Sequence, residues 1–269
     1  KYSVPRFAFV NKMDKIGADF YMSLASIHER LSKNAVAIQL PIGAEGTFSG
    51  IIDLIEEKAY RFEGDHGIEI VVQEIPADMK EKVKEYRAQL LEKVAESSEA
   101  LMNKYLNAEP VTIEEIRTAI RSMVLHDEIY PVMCGSALAN IGVQLVLDAV
   151  SYFLPSPVDM PPIVATDADN AEKKIEIHAN DTEPFTALAF KIATDPFVGK
   201  LVFFRVYSGV LTAGSYVVNT TTGSKERIGR IVRLHANTRE DVQEVYSGEI
   251  AAAIGLKNTR TGDTLCAEE

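Results

Sequence analysis

Tryptophan is absent from the 269 residues, cysteine occurs twice and histidine five times. Cys134 and Cys266 lie far apart in the chain, so they set up neither a disulfide framework nor a metal-ligand spacing, which suits a reducing cytoplasm. The histidines are scattered and no His-Glu-x-x-His pair occurs, which removes a common zinc signature. No apolar run approaches the ~18 residues of a membrane span, so no membrane partner is expected. Repeats and low-complexity tracts are missing. Positive charge is also short. The net charge is -11 and the pI about 5.1, which argues against DNA and against indiscriminate nucleic-acid binding. The shortage is local: residues 184–269 hold 10 Lys/Arg and 9 Asp/Glu, leaving 18 and 30 for the first 183. A near-neutral, arginine-bearing segment can therefore still meet phosphate. An initiator Met and a leader are missing too, and a strand candidate, Val4 to Val10, follows Lys1-Tyr2-Ser3 at once. The sequence is therefore expected to be an internal piece of a longer protein.

Hydrophobic residues make up 46% of the chain, enough for one to three cored domains. The opening apolar strand stops at Asn11-Lys12-Met13-Asp14. A helix is predicted from about Asp19, with Phe20, Leu24, Ile27 and Leu31 on one face. Short apolar runs at 36–40, 51–55, 58–62 and 68–72, broken by Gly/Asp turns, predict a small antiparallel sheet. A long helix is predicted from Pro76 to Leu106, facing inward through Met79, Val83, Tyr86, Leu90 and Val94. Its charged outer face, with Lys80, Lys82 and Lys84 between Glu81 and Glu85, reads as a solvated surface or as a docking face. Thr112 and Glu115 form a capping box for the next helix. Ile129 to Met133 is a second buried strand. It leads into Cys134-Gly135-Ser136-Ala137-Leu138 and a helix from about Ile141, with Val143, Val146, Leu147, Val150 and Leu154 inward. Two strand–turn–helix units predict part of an α/β domain with a parallel sheet.

Four prolines between Leu154 and Pro162 mark a linker. Beyond it, short strands at 185–193, 201–207, 215–219, 227–234 and 249–255, separated by Gly-containing turns, predict a β-barrel.

Asn11-Lys12-Met13-Asp14 stands at the C-terminal end of a strand, where open α/β sheets bind ligands. The Asp14 carboxylate can accept from both the ring N–H and the exocyclic amine of guanine; adenine offers no such pair of donors and would leave the carboxylate unmatched. Asn11 can reach the base or tie neighbouring loops, and the Lys12 stem can lie along the ring. The Ala137 N–H can donate to the guanine carbonyl, with the Ser136 hydroxyl bracing the turn and orienting Asp14. A plainer reading of each stays open: a polar turn capping the following helix, and Ser136 as an ordinary N-cap.

Asn11-Lys12-Met13-Asp14 resembles the guanine-specificity motif of GTPases, and Gly135-Ser136-Ala137-Leu138 resembles their last base-contacting motif. The 122 positions from Asp14 to Ser136 are similar to the spacing in translational GTPases of the elongation factor G type, which insert a subdomain there. The segments 195–201, 203–209, 252–257 and 261–265 resemble that family's second-domain barrel. The resemblance implies this organisation: residues 1–33 and 127–154 as the C-terminal part of a P-loop GTPase domain, 34–126 as an inserted α+β subdomain, 155–162 as linker, and 163–269 as the barrel. It further implies guanine contacts by Asn11, Lys12, Asp14, Ser136, Ala137 and Leu138, with GTP or GDP and magnesium in the intact protein. The implied partners are small-subunit ribosomal RNA at the barrel, through Arg205, Arg227 and Arg233, and a large-subunit stalk protein at the insert. A cytoplasmic translocation factor is expected. The rivals are a release factor, a ribosomal protection protein, or a ribosome-binding module that works without nucleotide. A Gly-rich loop ending in Gly-Lys-Ser/Thr is missing: the one Gly-Lys pair, Gly199-Lys200, is followed by Leu201. No catalytic residue or metal ligand can be assigned, so the chain by itself is expected to be inactive and to hold nucleotide weakly.

Overall fold

The computed structural model describes residues 4–167, 170, 172–195, 198–235 and 238–268. Pro196 and Phe197, within one of the barrel-like segments, lie outside the described residues, as do Lys1, Tyr2 and Ser3. The chain divides into two compact units, Lys1–Leu154 and Pro155–Glu269.

In the first unit, β1 (Ala8–Val10), β2 (Ala35–Ala37) and β7 (Tyr130–Cys134) form a parallel sheet in the order β1-β7-β2. Its register sets Val10 beside Cys134 and Ala37 beside Val132. The two predicted strand–turn–helix corners therefore leave adjacent strands at the same end. β3 (Gln39–Ile42), β4 (Gly50–Asp53), β5 (Lys58–Glu63) and β6 (Glu69–Gln73) make an antiparallel meander. The run at 36–40, read from the sequence as antiparallel, is thus divided. Ala35–Ala37 extends the parallel sheet, and the chain enters the meander only at Gln39.

α1 (Phe20–Arg30) begins at Asp19, whose carboxylate accepts the Met22 N–H. Phe20 and Leu24 are buried, whereas Leu31, predicted inward, lies past the last turn and is exposed. The single helix predicted over 76–106 is two: α2 (Lys80–Ala95) and α3 (Glu99–Leu106), with the Ser98 side chain capping the second through the Leu101 N–H. α4 (Ile113–Leu125) carries the expected capping box, and Lys104 pairs with Glu115 at 2.6 Å. Three hydrogen-bonding contacts, Lys104 first, hold the Glu115 carboxyl down at about 2. α5 (Val143–Phe153) buries Ala149 and Phe153. Leu147 and Val150, predicted inward, are exposed. One hydrophobic cluster runs through the unit, from Met13 and Phe20 to Ile51, Leu90, Ile120 and Met133, so both sheets share a core.

The second unit is β-rich. β8 (Ile163–Thr166) and β9 (Lys174–Ile177) pair as a hairpin. The remaining strands are β10 (Thr186–Asp195), β11 (Gly199–Ser208), β12 (Leu211–Thr212), β13 (Tyr216–Asn219), β14 (Ser224–Arg227), β15 (Arg230–His235), β16 (Thr238–Val242), β17 (Glu244–Val245), β18 (Ile250–Ile254) and β19 (Thr264–Cys266). Eight of them join in the order β14-β13-β19-β10-β11-β18-β15-β16, and β12 pairs with β17. Val202, Phe204 and Val206 alternate along β11 into a core with Val217, Ile231, Ala253 and Leu265. The strand predicted over 227–234 is broken at Ile228-Gly229, where the Gly229 N–H bonds the Ile254 carbonyl. Arg227 therefore pairs across to Tyr216 on β13 and Arg233 to Glu240 on β16. The two arginines, which the predicted 227–234 strand would have placed together, therefore stand on different strands.

Candidate functional site

The chain after β1 turns sharply at Lys12, in the left-handed region at φ 64°, and the Lys15 N–H closes the turn on the Lys12 carbonyl. Met13 is driven into the core (1% exposed) and its N–H donates to the Gly135 carbonyl at 3.0 Å. That pair of positions stitches the loop after β1 to the loop after β7. A second stitch is polar. The Asn11 side-chain oxygen accepts the Lys12 N–H at 2.8 Å and the Ala137 N–H at 2.9 Å. Asn11 therefore ties the two loops together. The amide expected to meet a guanine carbonyl, that of Ala137, is already bonded to Asn11.

The loop after β7 closes on itself. Ser136 and Ile141 exchange backbone hydrogen bonds of 2.9 and 3.0 Å, and Ser136 is buried. Gly135 has no room for a side chain: a Cβ there would meet the Ile141 carbonyl oxygen and the Phe9 ring. The position preceding α5 is Gly142, so Ser136 is not the N-cap of that helix. Nor does Asp14 cap α1, a role that belongs to Asp19. Both plain readings of these polar turns are thereby removed.

Asp14 is held between the loops. Its Oδ2 pairs with the Lys15 ammonium at 2.5 Å, and its Oδ1 is buried without a hydrogen-bond partner. The Lys15 contact first and the nearby Ser136 hydroxyl second hold the carboxyl below the usual carboxylate range. Lys15 and the Ser136 hydroxyl thus favour the ionised carboxylate, while Oδ1 makes no hydrogen bond of ordinary geometry, so a ligand N–H placed there would add the donor it lacks. Lys15 is more than half exposed on a flexible stem, so it can move aside for a second donor. The Leu138 side chain stands in solvent and Lys12 is exposed, leaving room for a flat ring over the loops.

Glu45 has no signal in the local pattern. Its N–H donates to the Met13 carbonyl at 2.8 Å, and its carboxylate accepts the Gly17 N–H at 2.7 Å. It clamps both ends of the turn that presents Asp14.

The first 156 residues match the family model described as Elongation factor Tu GTP binding domain. The chain belongs to that family. Residues 199–266 match the model described as Elongation factor Tu domain 2. A crystal structure of a protein from Thermus thermophilus is similar at a TM-score of 0.80 and 28% identity, over 99% of this chain and 36% of that one. The chain thus spans about a third of that relative's length.

Membership implies a guanine nucleotide and magnesium in the intact protein. The residues present fit one part of that ligand. Asp14 Oδ1 is the unsatisfied acceptor that a guanine N–H requires, and the loops around it are braced. The phosphate and metal part finds no match among the described residues. No group of three or more His, Cys, Asp or Glu among them is placed to hold a metal ion. Lys200, of the Gly-Lys pair, donates to the carbonyls of Lys257 (2.9 Å) and Thr259 (2.6 Å) in the loop after β18, so it serves the fold there.

The three barrel arginines named from the sequence are separate from one another in role. Arg233 pairs with Glu249 at 2.6 Å. Arg227 donates to the Gly214 carbonyl at 3.3 Å and is otherwise exposed. The Arg205 guanidinium lies 5.5 Å from the Tyr207 ring centre, and its Nε is buried without a partner.

Proposed function

We propose that this chain carries the guanine-selecting half of the nucleotide site of a translational GTPase of the elongation factor G type, together with a ribosome-contacting β-rich unit. The observation that carries the reading is the buried, partnerless Oδ1 of Asp14 between two loops joined by Asn11 and Ala137. Asp14 accepts from the guanine ring, Asn11 and Ser136 hold the loops, and the Lys12 stem covers the base. In the intact protein, GTP hydrolysis with magnesium promotes movement of tRNA and mRNA on the ribosome in the cytoplasm. Residues 34–126 are the inserted subdomain and contact a large-subunit stalk protein. The β-rich unit, 163–269, follows the linker at 155–162 and meets small-subunit ribosomal RNA. With no Gly-Lys-Ser/Thr loop in these 269 residues, the chain by itself behaves as a binding module and does not turn over GTP.

The reading is tested by NMR titration of the chain with GDP and, separately, ADP, each with magnesium. GDP shifts the amides of residues 11–14 and 135–138 at millimolar concentration, and ADP leaves them in place. An equal response to ADP, or no response at these loops, overturns it.

A further inference from the structure

The β-rich unit holds a cavity of about 780 Å³, lined wholly by residues between Pro157 and Gly248. That volume suits a small organic molecule. The space exists because β8 and β9, among the described residues, pair only with each other and not with the eight-stranded sheet. The segment before β8 is anchored instead by packing: at Gly248, in the left-handed region at φ 88°, a Cβ would collide with the Pro157 ring. Ile163 and Ile177 are cross-strand partners, so the hairpin offers the cavity one apolar face. Across from it, alternation along β11 sends Phe204 and Val206 into the core and leaves Arg205 and Tyr207 on the outer face, where both line the cavity.

Arg205 is a cation with its donors unmet. Its Nε is buried without a partner, and among the described residues its guanidinium makes no hydrogen bond or ion pair; it lies only beside the Tyr207 ring, 5.5 Å from the ring centre. The neighbouring acids are engaged elsewhere. Glu183, the carboxylate in the cavity lining, accepts the His178 N–H at 3.2 Å. Glu249 pairs with Arg233 at 2.6 Å and accepts the Tyr246 N–H at 2.9 Å. Asp181 accepts the Ser247 N–H at 2.9 Å. A half-buried guanidinium with free N–H groups at an apolar wall is a poor arrangement by itself and a good one for an acceptor delivered from outside.

We propose that this cavity binds a small amphipathic carboxylate. The two carboxylate oxygens match the paired N–H groups of the Arg205 guanidinium. The apolar body of the ligand lies against Ile163, Ile177 and Tyr207 and removes their surface from water. One cation with one carboxylate, Glu183, in the same lining suits a monoanion, whereas a phosphate strand would meet too little positive charge there. The proposal does not depend on the nucleotide reading and gives Arg205 an occupant other than ribosomal RNA.

The test is NMR titration of the full chain with phenylpropionate, with its neutral amide and with acetate. The acid produces saturable shifts at the amides of residues 163, 177–179 and 205–207. The neutral amide lacks the charge-assisted bond and acetate lacks the apolar body, so each binds at least about ten-fold more weakly. Arg205→Gln lowers the affinity for the acid to that for the amide, Arg205→Lys keeps part of the preference, and Arg227→Gln leaves it unchanged. The comparison of acid with amide on the wild-type chain decides the matter even where Arg205→Gln disturbs the fold. No saturable shift at these amides, equal affinity for acid and amide, or an undiminished preference in folded Arg205→Gln overturns the proposal. Shifts gathered at exposed lysines and arginines instead would show adventitious ion pairing and overturn it as well.

Discussion

The side-chain oxygen of Asn11 accepts the backbone N–H of Ala137 at 2.9 Å, joining two loops 126 positions apart. That bond makes one site of two motifs, because it fixes the loop of Ser136 against the loop that presents Asp14. Asn11→Ala removes the acceptor and leaves Lys12 and Ala137 amides short of a partner. The Ala137 amide is expected to exchange with deuterium up to about ten-fold faster than in wild type, consistent with loss of one net hydrogen bond. Exchange in β13 and β14 of the other unit should not change. Equal exchange at Ala137 in both proteins would show that the loops are held by other means.

Asp14→Ala takes away the carboxylate that the proposed reading pairs with the two guanine donors. The GDP response at residues 11–14 is expected to fall to that of ADP, with RNA binding by the β-rich unit unchanged. A retained preference for GDP would place base selection elsewhere.

Much of the local structure around the candidate site was legible because its determinants are local. Asp19 and Thr112 announce helix starts by side chains that bond within three residues. The strand ends at Val10 and Cys134 follow from apolar runs that stop at polar turns. What stayed hidden depends on distant pairing or on the phase of an ambiguous pattern. β2 is three residues long and exists because Ala35–Ala37 pairs with Tyr130–Val132. α5 is apolar nearly all round, so periodicity could not tell Ala149 and Phe153 from Leu147 and Val150. The break at Ser98 interrupts a helical pattern that reads as continuous. Glu45 clamps the base loop from 28 positions away from Gly17, and no spacing rule connects them.

Gly135 has no space for a methyl group, since Ile141 and Phe9 fill it. Gly135→Ala is expected to destabilise the first unit by about 1–3 kcal/mol, the usual cost of overpacking. Urea unfolding followed by the tyrosine signal, together with the GDP titration, checks it. The midpoint should fall and the shifts at residues 135–138 should weaken together. A wild-type midpoint would mean that the loop relaxes freely.

Glu115 ties the N-terminus of α4 to Lys104, and its carboxyl is held at about 2 against about 4.3 for an ordinary glutamate. Because the folded value is depressed, its stabilising contribution is complete above the ordinary value. It is lost as pH falls from there towards about 2. Glu115→Gln should therefore be less stable than wild type by a constant margin between about pH 6 and 8. That margin should shrink steadily below about pH 4.5, as the wild-type carboxyl takes up its proton. The pair is about a third exposed, enough for partial screening, so added salt should narrow the gap somewhat as well. Thermal unfolding of both proteins across this range supplies the comparison. A gap that widens as pH falls would reverse the sign and show that the carboxylate is not favoured by the fold.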